Sequence, residues 1–262
     1  MVIVLNEYEW AEKMLNSHDL GKKPMETLAR ISKYYYANHY TKREIRKKLN
    51  AFLLQCDPNI SLLQWSNVID RVIKSVNKYP LIELDGVSIT KDELEVIETL
   101  EGRQLKRLAF TLLCVAKYWD EVSPKNRHWV NTSDKDIIQM ANINTSIKRQ
   151  SMLFGQLHNA GLIQFSKKID NLNVRVMFIK EGEPAMYIQD FRNLGYQYLK
   201  YYGEPYFECE NCGIVTRIQD PAKGRKQKYC PSCALEVQTK QIVNATMKRR
   251  TLAKKELNAC SN

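Results

Sequence analysis

The sequence predicts a mostly α fold with small β hairpins, divided into several modules. Apolar residues recur at three- and four-residue spacing over residues 23–76 and again over 103–160, the period of an amphipathic helix. Short alternating stretches bounded by Gly, Asn and Asp follow each run, the period of a strand. Four of the seven cysteines stand in two Cys-x-x-Cys pairs late in the chain, a spacing that belongs to a small metal module. At 262 residues the chain can bury a core without covalent staples.

Taken in order, the stretches METLARISKYYYANHY, KREIRKKLNAFLLQC and SLLQWSNVIDRVIKSV predict helices. YPLIELDGVSIT follows, and its Asp85-Gly86 between short apolar stretches predicts a hairpin turn. Thr90 and Glu93 make a capping-box signature that opens KDELEVIETLE. These elements fill a helical N-terminal domain over residues 1–100. LKRLAFTLLCVAKYWDEV predicts a strong amphipathic helix, Ser133 caps DKDIIQMANI, and Thr145 or Ser146 begins IKRQSMLFGQLHNAGLI, which Gly161 ends. IQFSKKI and VRVMFIK alternate about the polar turn DNLN and predict two strands.

Three helices followed by a β hairpin is the order of a winged helix-turn-helix, expected here over residues 101–181. The stretch resembles the winged-helix domains of bacterial, plasmid and phage DNA-binding proteins, replication initiators and transcription regulators among them, and LHNAGLI is similar to the ending of their recognition helices. That resemblance implies DNA contact from the helix over residues 146–160, through Lys148, Arg149, Gln150 and Gln156, with Met152, Leu153, Leu157 and Leu162 turned inward. Arg and Gln pair bidentately with guanine and adenine edges. Lys167, Lys168 and Arg175 in the wing would meet phosphate or the minor groove. A winged helix used for protein docking needs none of these. The earlier helices with LIELDGVSIT could form a degenerate second copy.

Residues 182–205 hold Gly182, Pro184, Gly203 and Pro205 around one short helix and read as a connector. Residues 206–262 form the last module. Cys209 and Cys212 make one pair, Cys230 and Cys233 the other. Two residues between thiols let both sulfurs of a tight turn face one ion, and two such turns supply the tetrahedral thiolate set that Zn2+ prefers. A filled four-thiolate sphere leaves no position for water, so the expected role is structural; an iron–sulfur cluster or a redox dithiol are the alternatives. The second pair leads into a helix, as in a zinc ribbon or a treble-clef finger. Short four-cysteine modules followed by a basic helix resemble the tails of phage and mobile-element proteins, which implies nucleic-acid contact.

Lys and Arg outnumber Asp and Glu by 40 to 29, for a net charge of +11. From Arg217 to Lys255 eleven basic residues face two acids, so most of that excess lies on the cysteine module and the helix after it. Lys223, Arg225, Lys226 and Lys228 fall between the pairs; Lys248, Arg249 and Arg250 fall on the helix. Such concentration favours a polyanion, expected to be double-stranded DNA, although a charge run is more often a solvated face. A host protein or nucleoprotein complex is the other expected partner, which would make the chain an inhibitor or adaptor.

Enzyme signatures are missing: no phosphate loop, dinucleotide fingerprint, His-Glu-x-x-His or nucleophile elbow occurs, and His18, His39, His128 and His158 accompany no nucleophile motif. A non-enzymatic protein is expected. The apolar start lacks a basic lead and carries Glu7, Glu9 and Glu12, unlike a signal peptide, and no apolar run is long enough for a bilayer. A soluble, cytoplasmic protein follows. Tyr34, Tyr35, Tyr36 and Tyr40 beside a basic run could stack on bases, but such a stripe is more often core. Cys56 and Cys114 read as core thiols and Cys260 as a tail residue.

Overall fold

A computed structural model describes residues 3–78, 80–167, 173–219 and 227–259. The described residues are mostly helical, with three small sheets among them. Helices α1 (Glu7–Ser17), α2 (Pro24–Ala37), α3 (Lys42–Cys56) and α4 (Leu62–Ser75) form an N-terminal bundle. The first three starts have local causes. Asn6 accepts the Glu9 N–H at 3.0 Å, Pro24 occupies the first turn of α2, and Thr41 with Glu44 closes a capping box. Leu28 and Ile31 of α2, Ile45, Leu49, Phe52 and Leu53 of α3, and Ile69, Val72 and Ile73 of α4 meet in one core. Tyr34 and Tyr35 pack beside it, and the Lys48 ammonium lies 4.3 Å from the centre of the Tyr40 ring, so most of the tyrosine stripe serves packing.

The segment expected to turn back at Asp85-Gly86 does not make a hairpin. A two-residue hairpin turn needs left-handed backbone, and Gly86 is not among the residues with positive φ. Its two arms pair elsewhere. Leu84 N–H bonds the Leu5 carbonyl and Glu7 N–H the Ile82 carbonyl, while β1 (Val87–Thr90) runs antiparallel to β5 (Pro184–Ile188), nearly a hundred residues on. Glycine is required at 86 by that crossing, because a Cβ there would stand 2.7 Å from the Ile188 carbonyl oxygen. The Thr90–Glu93 capping box is present and opens α5 (Lys91–Glu98).

Helix α6 (Arg103–Val122) runs through the larger core, with Leu108, Phe110, Leu112, Leu113, Cys114 and Val115 fully buried. Then come β2 (Trp129–Val130), α7 (Asp134–Met140), α8 (Ile147–Asn159), β3 (Ile163–Phe165) and β4 (Val174–Val176). Ser133 and Ser146 cap α7 and α8, accepting from Asp136 and Arg149 N–H. Gly161, at φ +73°, ends α8. The strands form one antiparallel sheet in the order β2–β4–β3.

Residues 182–205 do more than connect. They supply β5 and helix α9 (Leu194–Tyr201), whose Leu194, Tyr198 and Leu199 are buried in the same core as α6; the Tyr198 and Phe110 rings lie 5.2 Å apart. Two Gly/Pro pairs resemble a linker in composition, yet the apolar face between them is wide enough to bury. Strands β6 (Tyr206–Glu208) and β7 (Val215–Arg217) and the long helix α10 (Pro231–Ala259) complete the chain.

Candidate metal centre and nucleic-acid interface

The β6–β7 hairpin carries the first cysteine pair at its tip. Gly213 N–H donates to the Cys209 carbonyl at 2.9 Å and Cys209 N–H to the Ile214 carbonyl at 3.0 Å, a tight turn that needs the left-handed φ of +73° found at Gly213. The second pair starts α10: Cys230 precedes Pro231, and Ala234 N–H bonds the Cys230 carbonyl at 2.9 Å. Cys233 therefore lies in the first helical turn. The four Sγ atoms lie within 4.8 Å of one another, and Cys209, Cys230 and Cys233 are buried.

This arrangement is compatible with a metal site. The sulfurs receive hydrogen bonds suited to thiolates, from Cys230 N–H to Cys209 Sγ and from the Asn211 side-chain amide to Cys233 Sγ, each 3.3 Å. Burial raises the Cys209 thiol, but backbone N–H groups of Cys230, Cys212 and Asn211 overcome it and hold the group down at about 6. Burial pushes Cys212 the other way, to about 12, in keeping with four close sulfurs that cannot all ionise without a cation among them.

The module is fixed to the rest of the fold by polar contacts. Arg192, held in a two-point pair by Asp190, donates to the Cys212 carbonyl at 2.6 Å, and the Asn193 side-chain amide donates to the Val215 carbonyl at 2.9 Å. Lys200 pairs with Glu208, and Arg103 with Glu204 and the Tyr206 hydroxyl. None of these partners carries a motif; Arg192 and Asn193 fall in the stretch that the sequence presents only as a connector.

On α8, Lys148, Arg149 and Gln156 are exposed. Gln150 is half-buried and its side-chain amide donates to the Thr145 carbonyl at 2.9 Å, closing the turn before its own helix. Leu153 and Leu157 turn inward and Leu162 packs partly against the core, but Met152, expected inward, is exposed, since the buried stripe passes through Leu153, Phe154 and Leu157. Beyond β3, Lys167 is exposed, and on β4 the Arg175 guanidinium donates to the Arg127 carbonyl at 2.9 Å. Lys228 is exposed beside Glu210, and Arg249 is exposed on α10. Lys168, Lys223, Arg225 and Lys226 lie outside the described residues, as do Cys260 and the side chains of Lys248 and Arg250.

His128 Nδ1 lies 2.6 Å from the Asp120 carboxylate in a loop near β2, and His158 stacks on Phe165. No described helix is long and apolar enough to cross a membrane. No protein-family model matches the chain, and no curated protein or solved structure does.

Proposed function

We propose that the chain is a non-enzymatic DNA-binding protein, acting in replication initiation or transcription control, in which a winged helix reads duplex and a zinc module adds backbone affinity. The observation that carries it is topological. Helices α6, α7 and α8 with the β2–β4–β3 sheet follow the connectivity of a winged helix-turn-helix, and the third helix turns Lys148, Arg149 and Gln156 to solvent. The bidentate geometry of Arg on guanine gives that face a means of reading sequence.

Zinc is the ion we assign to the cysteine cluster. Zn–S arms of about 2.3 Å place neighbouring sulfurs about 3.8 Å apart in a tetrahedron. Cys212 and Cys230 Sγ are 3.8 Å apart. The ion would hold Cys209, Cys212, Cys230 and Cys233 together and tie the hairpin to α10, whose basic residues then run away from it along a helix of 29 residues, roughly 44 Å.

The test of the reading helix is a double charge reversal. Lys148→Glu with Arg149→Glu, both exposed, leaves the buried face of α8 untouched, and duplex affinity is expected to fall by at least roughly tenfold at low salt. Unchanged affinity with an intact fold would remove α8 from the interface. One observation favours a second reading, a protein-binding inhibitor or adaptor. Ile147, 81% exposed, and Phe165 border a groove of about 230 Å³ that Phe154 and Val174 also line, between α8 and the wing. An apolar side chain from a partner would fit there, and partner binding that survives the α8 reversal while DNA affinity is nil would establish that reading.

A further inference from the structure

The turn between α7 and α8 and the start of α9 share one polar network. Asn142, in that turn, has left-handed backbone at φ 55°, and Asn193, immediately before α9, has it at φ 53°. Asn is among the few residues that adopt this conformation readily. An Asn at a helix start normally caps its own helix. Asn193 does not, because its amide group is spent on two other bonds: Nδ2 donates to the Val215 carbonyl of the metal hairpin at 2.9 Å, and Oδ1 accepts from Asn142 Nδ2 at 2.8 Å.

The missing cap comes from the other side. Asn142 Oδ1 accepts from Tyr196 N–H, at the third position of α9, at 3.3 Å, a donor that it shares with the Asn193 carbonyl at 2.9 Å. The Asn142 carbonyl in turn accepts from Arg107 of α6 at 2.9 Å. Directly beside this pair, Gly195 lies so close to the α7 end that a Cβ would stand 2.1 Å from the Ala141 carbonyl oxygen. Arg192 meanwhile holds the Cys212 carbonyl, so the hairpin tip that carries two sulfurs is bonded to the residue next to the relay.

We propose that Asn193 and Asn142 are positioning residues that make the turn before α8 depend on the metal centre. With the ion bound, the hairpin presents the Val215 and Cys212 carbonyls at fixed places, Asn193 is held between hairpin and turn, and Asn142 keeps both its left-handed backbone and its capping bond to α9. Release of the ion frees the hairpin tip, takes the acceptor from Asn193, and loosens the 141–146 turn from which Ser146 caps α8. The inference rests on the metal reading above and not on the identity of the polyanion.

The experiment is amide hydrogen exchange on the full chain, with metal content measured in parallel and the ion removed by a chelator under reducing conditions. Two weakened hydrogen bonds predict exchange across residues 141–146 that rises roughly tenfold when the ion leaves. Asn193→Gly keeps the left-handed backbone and deletes the amide; it should retain the ion, show raised exchange in the turn with the ion present, and respond little to the chelator. Unchanged exchange in the parent protein after its ion is removed, or an Asn193→Gly protein that responds as the parent does, overturns the relay. A purified protein without stoichiometric metal overturns the metal reading and the relay with it, and the content measurement tells that failure from the others.

Discussion

Two side chains show what burial demands of a charge. Glu93 is fully buried, with Lys117 Nζ at 2.7 Å, Lys180 N–H at 3.0 Å and its own capping bond to Thr90 N–H at 2.8 Å. Glu93→Ala would strand the Lys117 ammonium in a site with little water, and urea unfolding should show a loss of about 3–5 kcal/mol; a loss below about 1 kcal/mol would mean that Lys117 reaches solvent by itself. The cysteines divide by environment in the same way. Cys209→Ser should lower bound metal well below one ion per chain, while Cys56→Ser, distant from the cluster, should leave it unchanged. Equal metal in both variants, measured by atomic emission, would dissolve the four-thiolate assignment. The cluster was readable from spacing alone, because two residues between thiols is a geometric requirement of the site. Asn142 and Asn193 were not, because an Asn signals a cap or a turn without saying whose.

At the scale of elements, close approach governs more than propensity does. Gly195 meets the Ala141 carbonyl, so Gly195→Ala must push α9 off the α7 end despite the better helix former, and should cost about 1–3 kcal/mol in thermal or urea unfolding. A methyl group added at Gly155 on α8 would meet nothing within 4 Å, and Gly155→Ala should stabilise by up to about 1 kcal/mol. The opposite order would contradict the packing of α9 on α7. Helices α2 to α8 were evident from period, and α5, α7 and α8 also from caps, since Thr90, Ser133 and Ser146 each bond the N–H their position predicts. Strand pairing was less so. Asp85-Gly86 is a local signal for a hairpin, yet β1 finds its partner in β5, whose Ala185 and Met186 carry little alternation, and β2 is two residues long and formed by its pairing with β4. Partners far apart in sequence leave no mark in either strand.

For the whole molecule, charge and architecture point the same way. Most of the +11 falls beyond Arg217, on the metal module and α10, while the sheet and helices of the winged-helix reading stand on the α6 core to which α9 anchors that module. A reading helix and a basic arm on one scaffold would engage neighbouring stretches of one polyanion. The decisive measurement is binding of metal-loaded protein to labelled random duplex DNA, single-stranded DNA and RNA across a salt series, beside a variant with Lys223→Glu, Arg225→Glu, Lys226→Glu and Lys228→Glu. The account predicts preference for duplex DNA, a log–log salt slope of about −4 or steeper, and a shallower slope with weaker binding in the variant. Binding to none of the three at low salt would contradict it and leave the groove between α8 and strands β3 and β4 as the surface to pursue.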